Sequence, residues 1–292
     1  MMDSDLGGKF LSEPGISDTS KIQNFLLVSL GIRKASLTYL PAELPGGPEM
    51  GLAIDRYYYA HIKPGTGRHP PSMEHKLSVM AAAYEEVVHR SPEYQAHLRW
   101  AGRLGLSVLE VHRRPTLVEM FLYADDGTRT ELLRLRERAE DLRRVALSGL
   151  RTADRPLGDP LIARVYPDEL DAKYLRRLAG LLGYPACCTE RYLEDRLSGH
   201  SVELRASEQI LQAASAGRPV DVQAYYLKDF FPCSPDCPEA TLRARQITDR
   251  LSAESPAFRD LYFASLTENH RLVRDYPKIL AEHKRHIGSH QM

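Results

Sequence analysis

Residues Asp168–Leu197 read DELDAKYLRRLAGLLGYPACCTERYLEDRL, and this stretch decides the architecture. It carries two segments of helical periodicity, Asp168–Leu182 and Cys188–Leu197, broken at Gly183, where a C-terminal helix cap belongs. The same pattern continues downstream in Val202–Ala216, Pro238–Leu251 and Pro256–Tyr276, with Gly199 and Gly217 as further caps. The second half of the chain therefore reads as helical throughout.

Toward the N-terminus the pattern changes. Ile22–Leu30 (IQNFLLVSL) is an apolar run fit for a buried strand, Ala35–Leu40 (ASLTYL) is a partner for it, and Leu52–Ile62 (LAIDRYYYAHI) is aromatic and β-prone. Pro41–Gly51 and Lys63–Ser72 are rich in proline and glycine and read as loops. Leu77, Met80, Ala81, Tyr84, Val87 and Val88 recur at spacings of three and four and make one helix face, which Ser91-Pro92 ends before a second segment to about Leu104. Ser107–His112 and Thr116–Tyr123 are β-like, Asp126-Gly127 is a closing turn, and Glu131–Leu150 is helical again. The expected fold is α+β: a flexible tail over 1–22, a small mixed α/β domain over 23–150, a linker at Arg151–Pro160, and an all-helical domain over 161–292 that carries the cysteines.

The 292 residues include 39 basic and 39 acidic side chains, a formal charge of zero. A protein that grips a phosphate backbone needs a basic excess to release counterions, so nucleic acid is not the expected partner. No apolar run nears the roughly 20 residues that span a bilayer, which argues against a membrane role. The opening MMDSDLGGKFLSEPG lacks the basic-then-apolar pattern of a secretory signal. A cytoplasmic bacterial protein is the expectation.

The four cysteines are Cys187, Cys188, Cys233 and Cys237, two tight pairs in one part of the chain. In a reducing compartment clustered cysteines more often bind metal or do redox chemistry than form structural disulfides. Both pairs sit at or just before the first turn of an expected helix, on a proline-stiffened approach. Unpaired backbone N–H groups and the helix dipole stabilise a thiolate there. Four thiolates hold one tetrahedral zinc or one [4Fe–4S] cluster. Structural zinc usually takes C-x2-C knuckles, whereas this chain has adjacent cysteines plus C-x3-C, and adjacent side chains diverge in a way that suits a bulkier cluster. An iron–sulfur cluster is thus the first reading and zinc the alternative, while dithiol–disulfide exchange and plain packing stay open. Any single site demands all four sulfurs within about 7 Å of one another.

The pieces LLGYPACC (Leu181–Cys188) and FPCSPDCPEA (Phe231–Ala240) resemble the paired signatures of a prokaryotic family, domain-of-unknown-function family 483. The resemblance covers Leu181 to Ala240. It implies that Cys187, Cys188, Cys233 and Cys237 form one site, shaped by Tyr184, Pro185 and Pro235, and it brings no activity with it.

Other patterns are weaker. Glu86-x-x-His89 has the spacing of half a di-iron site but lacks a second copy, and Glu85 with His89 reads equally as an ion pair one turn apart. Ser265, Glu268 and Asn269 fall on the apolar stripe of the last helix, where Glu268 needs a basic partner or a wet setting, and His270 points away toward solvent. Gly65, Gly67, Arg68 and His69 form a basic, glycine-rich loop before a helix, a weak anion-binding pattern. His283, His286 and His290 belong to a basic tail. The expected function is an iron–sulfur enzyme that acts on a small-molecule substrate or exchanges electrons with a redox partner. Should one thiolate leave an iron open, Asp236 is the nearest candidate acid or base.

Overall fold

The computed structural model describes residues 4–62, 72–114, 117–152 and 166–289. The chain divides into two compact units, Met1–Arg129 and Thr130–Met292.

The first unit opens with α1 (Ser4–Leu11), followed by one irregular helical stretch made of Asp18–Ser20, a π-helical Lys21–Leu26 and Leu27–Ser29. Two expectations are corrected here. The opening is no loose tail, because Phe10 is fully buried with its ring 5.6 Å from Phe25 and 4.8 Å from Trp100. Trp100 Nε1–H donates to Glu13 at 2.9 Å and, against the cost of burial, holds that carboxyl below its usual range. Ile22–Leu30 is helix rather than strand. A short run buried on all sides, here Ile22, Phe25, Leu26, Leu27 and Val28, has the same apolar density in either conformation.

Three strands, β1 (Ala35–Leu40), β2 (Ser107–Arg114) and β3 (Leu117–Tyr123), form an antiparallel sheet in the order β1-β3-β2. Thr38 faces Met120 across one side of β3 and Leu109 faces Phe121 across the other. The expected strand at Leu52–Ile62 is instead part of α2 (Gly47–His61). Its start is dictated by backbone: Gly46 has φ 74°, and a Cβ on Gly47 would lie 2.5 Å from the Pro41 carbonyl oxygen. Pro48 then fits the first turn. Met50, Ile54 and Tyr57 recur at four and three, which outweighs the β-propensity of three tyrosines, and they pack with Leu40, Tyr84 and Val118.

Next, α3 (Met73–Tyr84) runs into a π-helical turn, Glu85–His89. Its buried face is Val79, Ala83, Tyr84 and Val88, rotated from the expected one, so that Leu77 is 44% exposed. Ser91 ends this run and caps α4 (Pro92–Arg103), as expected. The loop readings at Gly65, Gly67, Arg68 and His69 lie outside the described residues. Asp126-Gly127, expected as a turn, opens α5 (Asp126–Thr152), with the Asp125 carboxylate accepting the Thr128 N–H at 2.8 Å. The units divide inside α5, between Arg129 and Thr130, rather than at the expected linker, most of which lies outside the described residues.

The described part of the second unit is helix and turn with no strand. After the 3₁₀ turn Pro167–Leu170 come α6 (Ala172–Leu182), α7 (Ala186–Leu197), α8 (Val202–Ser215), the 3₁₀ turn Val222–Tyr225, α9 (Pro238–Glu254) and α10 (Pro256–Ser289). Gly183, Gly199 and Gly217 take positive φ just past α6, α7 and α8, as their spacing predicts. Here α6 packs on α7, while α8 and α9 pack on α10. Leu175, Leu182, Leu193, Ile210, Ile247, Leu251, Tyr262 and Leu266 are buried. The fold is therefore α+β with a mostly helical C-terminal half. No helix among the described residues is long and apolar enough to cross a membrane.

Candidate metal centre

The first cysteine pair is delivered by a tight helix–helix corner. Gly183 ends α6 with φ 78°, Tyr184 N–H closes the cap on the Ala179 carbonyl at 2.9 Å, and Pro185 in extended conformation precedes α7. Cys187 and Cys188 thus lie in the first turn of α7. The second pair sits on the turn before α9: Cys237 N–H donates to the Ser234 carbonyl at 3.1 Å, and Cys237 itself occupies the N-cap with Pro238 behind it. Both placements agree with the expected helix N-termini.

The corner and the turn meet. Cys187 Sγ is 3.8 Å from Cys188 Sγ and 3.8 Å from Cys237 Sγ, and Cys188 Sγ is 3.6 Å from Cys237 Sγ. All four sulfurs fall within 4.8 Å of one another, well inside the span that one site demands. All four cysteines are free thiols rather than disulfides. Cys188 and Cys237 are buried, Cys233 is half-buried and Cys187 is exposed.

Electrostatics inside the cluster are uneven. At Cys237 burial opposes the thiolate, but the Ala240 N–H and the neighbouring thiols donate to its sulfur, and together they bring its pKa below the ordinary thiol value. Burial pushes Cys188 far up despite the Cys233 N–H that reaches its sulfur at 3.4 Å. Cys233 is pushed up to about 11, first by burial and then by donation to Cys237. The expectation that helix N-termini favour negative sulfur throughout therefore holds for Cys237 and is overridden by burial at Cys188 and Cys233. Four sulfurs this close cannot all carry charge without a cation among them.

A polar and aromatic shell fixes the two loops to each other. Tyr226 O–H donates to the Gly183 carbonyl at 2.9 Å, and the Phe230 ring lies 4.6 Å from Tyr226 and 5.2 Å from Tyr184. From α8, Arg205 Nη1 donates to the Pro232 carbonyl at 2.6 Å while its Nε pairs with buried Asp195 Oδ2 at 2.9 Å. One turn on, Gln209 Nε2 donates to the Cys233 carbonyl at 3.2 Å. From α10, Tyr262 O–H and Asn269 Nδ2 hold the Tyr226 and Tyr225 carbonyls, both at 3.1 Å. Of these supporting residues the sequence singled out Tyr184 and Asn269, but not Tyr226, Phe230, Asp195, Arg205 or Gln209. One signal did exist: Asp195 follows Cys188 by seven residues, two helical turns, so a carboxylate lies on the cysteine-bearing face of α7.

The remaining candidates do not join this site. Asp236 is exposed on the turn between Cys233 and Cys237. Glu86 pairs with Arg90 at 2.6 Å instead of approaching His89. His89 lies between Glu85 Oε2 at 2.7 Å and Glu110 Oε2 at 3.2 Å, so the pairing with Glu85 one turn away is present and Glu86 takes no part in it. Glu268 finds its basic partner in Arg271 at 2.6 Å, which with burial opposing keeps its carboxyl below the usual range. Ser265 and Asn269 are buried, as their place on the stripe requires. His270, expected toward solvent, is half-buried edge-on to Tyr225 at 5.1 Å, and burial lowers its pKa. The side chains of His283, His286 and His290 lie outside the described set.

Comparison of the chain with family profiles, with curated proteins and with solved structures gave no match. The cysteine geometry accordingly carries the functional argument by itself.

Proposed function

We propose that Cys187, Cys188, Cys233 and Cys237 hold a single tetrahedral zinc ion that fixes the helical unit, and that the protein is a zinc-stabilised binding or regulatory module. The supporting observation is the sulfur spacing. A zinc–thiolate bond of about 2.3 Å makes the edge of a regular tetrahedron about 3.8 Å, and three sulfur pairs here lie at 3.6 to 3.8 Å. A four-iron cubane carries each thiolate on its own iron corner and spreads the sulfurs to roughly 6 Å. The iron–sulfur reading thus asks the two loops to move apart, against the Tyr226–Gly183 bond that joins them. Four thiolates on one zinc leave no position for substrate, which favours a structural over a catalytic metal and leaves Asp236 without a catalytic task.

Metal analysis and a visible spectrum of one anaerobically purified sample test the reading. One zinc per chain and no colour are expected. A brown protein with about four irons per chain refutes it in favour of the cluster. A colourless, metal-free protein refutes both.

A further inference from the structure

The four cysteines are unequal in a way that packing of a metal alone does not require. Cys188 and Cys237 are buried and Cys233 is half-buried, whereas Cys187 is exposed. Cys188 Sγ accepts the Cys233 N–H and Cys237 Sγ accepts the Ala240 N–H, so both buried sulfurs are tied into the backbone. Reactivity toward a soft electrophile needs access, and the exposed member of the four is Cys187, with Cys237 Sγ 3.8 Å from its sulfur.

We propose that Cys187 is a site of oxidation by hydroperoxides, with Cys237 as its resolving partner, so that the zinc centre proposed above opens on contact with peroxide. The proposal deepens that reading and rests on it. In the first step the Cys187 thiolate attacks one peroxide oxygen: an S–O bond forms, the O–O bond breaks, and hydroxide (or alkoxide) leaves. In the second step the Cys237 thiolate attacks the sulfenic sulfur of Cys187, an S–S bond forms and a second hydroxide leaves. Both sulfurs are oxidised by one electron each, the peroxide is reduced by two, and two protons from solvent complete two molecules of water from hydrogen peroxide. Cys237 lies 3.8 Å from Cys187, so its sulfur needs to close by less than 2 Å to reach the disulfide length of about 2.05 Å. Cys188 is equally near, but as the adjacent residue in the same helical turn it can form only a strained vicinal ring. The disulfide removes two of the four thiolates, and the metal leaves; a dithiol reductant restores the site.

The full chain is purified, its metal content and spectrum are recorded, and one to two equivalents of hydrogen peroxide are added. Samples are quenched with isotope-coded N-ethylmaleimide and mapped by mass spectrometry, while a chromogenic chelator reads released zinc. The expected result is a Cys187–Cys237 disulfide as the first product, with zinc release tracking it one for one, and Cys187→Ser oxidising about tenfold more slowly. Because the order of modification is read in the unsubstituted protein, a poorly folded variant does not blur the outcome. First modification at Cys188, Cys233 or Cys237, or zinc release with Cys187 still reduced, overturns the proposal. Iron or no metal in the starting sample overturns the zinc reading alone, since the order in which the cysteines react is still read from that sample and decides the assignment of Cys187.

Discussion

Replacing Arg205 by methionine tests whether the cysteine turn is held by the shell rather than by the metal alone. The guanidinium is almost fully covered and joins three elements: Asp195 on α7 at 2.9 Å, Gln209 on its own helix at 2.8 Å, and the Pro232 carbonyl before Cys233 at 2.6 Å. Methionine keeps most of the volume and removes the charge and every donor. Removing one partner of a buried ion pair costs about 3–5 kcal/mol. Asp195 keeps Arg191 at 3.3 Å, so the lower end applies, and the unpaired Pro232 carbonyl adds about 1 kcal/mol. A loss near 4 kcal/mol in a unit of this size lowers Tm by roughly 8–16 °C. Thermal unfolding followed by circular dichroism reads the shift, with and without a chelator. Adding Asp195→Leu to the methionine variant should recover part of the loss, because an apolar pair substitutes well for a buried ionic one. A shift below about 2 °C for Arg205→Met would refute the reasoning.

Three further outcomes follow from the same geometry. Cys188→Ser, at the most buried contact of the cluster, should abolish stoichiometric metal and lower the chelator-sensitive part of the stability, whereas His89→Ala should leave metal content unchanged; metal analysis of both variants checks this. Tyr226→Phe removes the bond to Gly183 and should cost about 1 kcal/mol of stability and roughly 10–100-fold in zinc affinity, measured by competition with a chromogenic chelator. His97 is fully buried in the first unit, and burial lowers its pKa. Below about pH 6.5 the unfolded chain therefore takes up a proton that the folded chain refuses, so stability falls with decreasing pH by at most about 1.4 kcal/mol per unit. His97→Gln should flatten that slope in urea titrations between pH 6.5 and 5, and an unchanged slope would assign it to other groups.

The helical half was legible because its amphipathic patterns are long and its glycines stand where caps must turn, as Gly183 does between α6 and α7. Two of the missed helices had different causes: Ile22–Leu30 is buried on nearly all sides and so shows no period, and Leu52–Ile62 presents consecutive tyrosines whose helical spacing from Met50 and Ile54 lies partly outside the segment. The meeting of the cysteine pairs was foreseeable from their scarcity and clustering. The shell was not, because Arg205, Gln209 and Tyr226 act through backbone carbonyls of distant loops, and no residue pattern marks the carbonyl that a side chain will find. The exposure of Cys187 beside buried Cys188 also depends on how the corner docks rather than on either residue.

The meeting of Cys187 with Cys237 spans 50 positions of chain and encloses the whole of α8. A metal bridging those two sulfurs is topologically a cross-link, and it removes from the unfolded chain the freedom of a 50-residue loop, worth about 4 kcal/mol in the chain-entropy picture. A metal held there would act as a detachable staple. With an ion seated, α8 and the turns flanking it would unfold only as a tethered loop. Without ion or disulfide, the same segment would have on unfolding the full conformational freedom of an open chain.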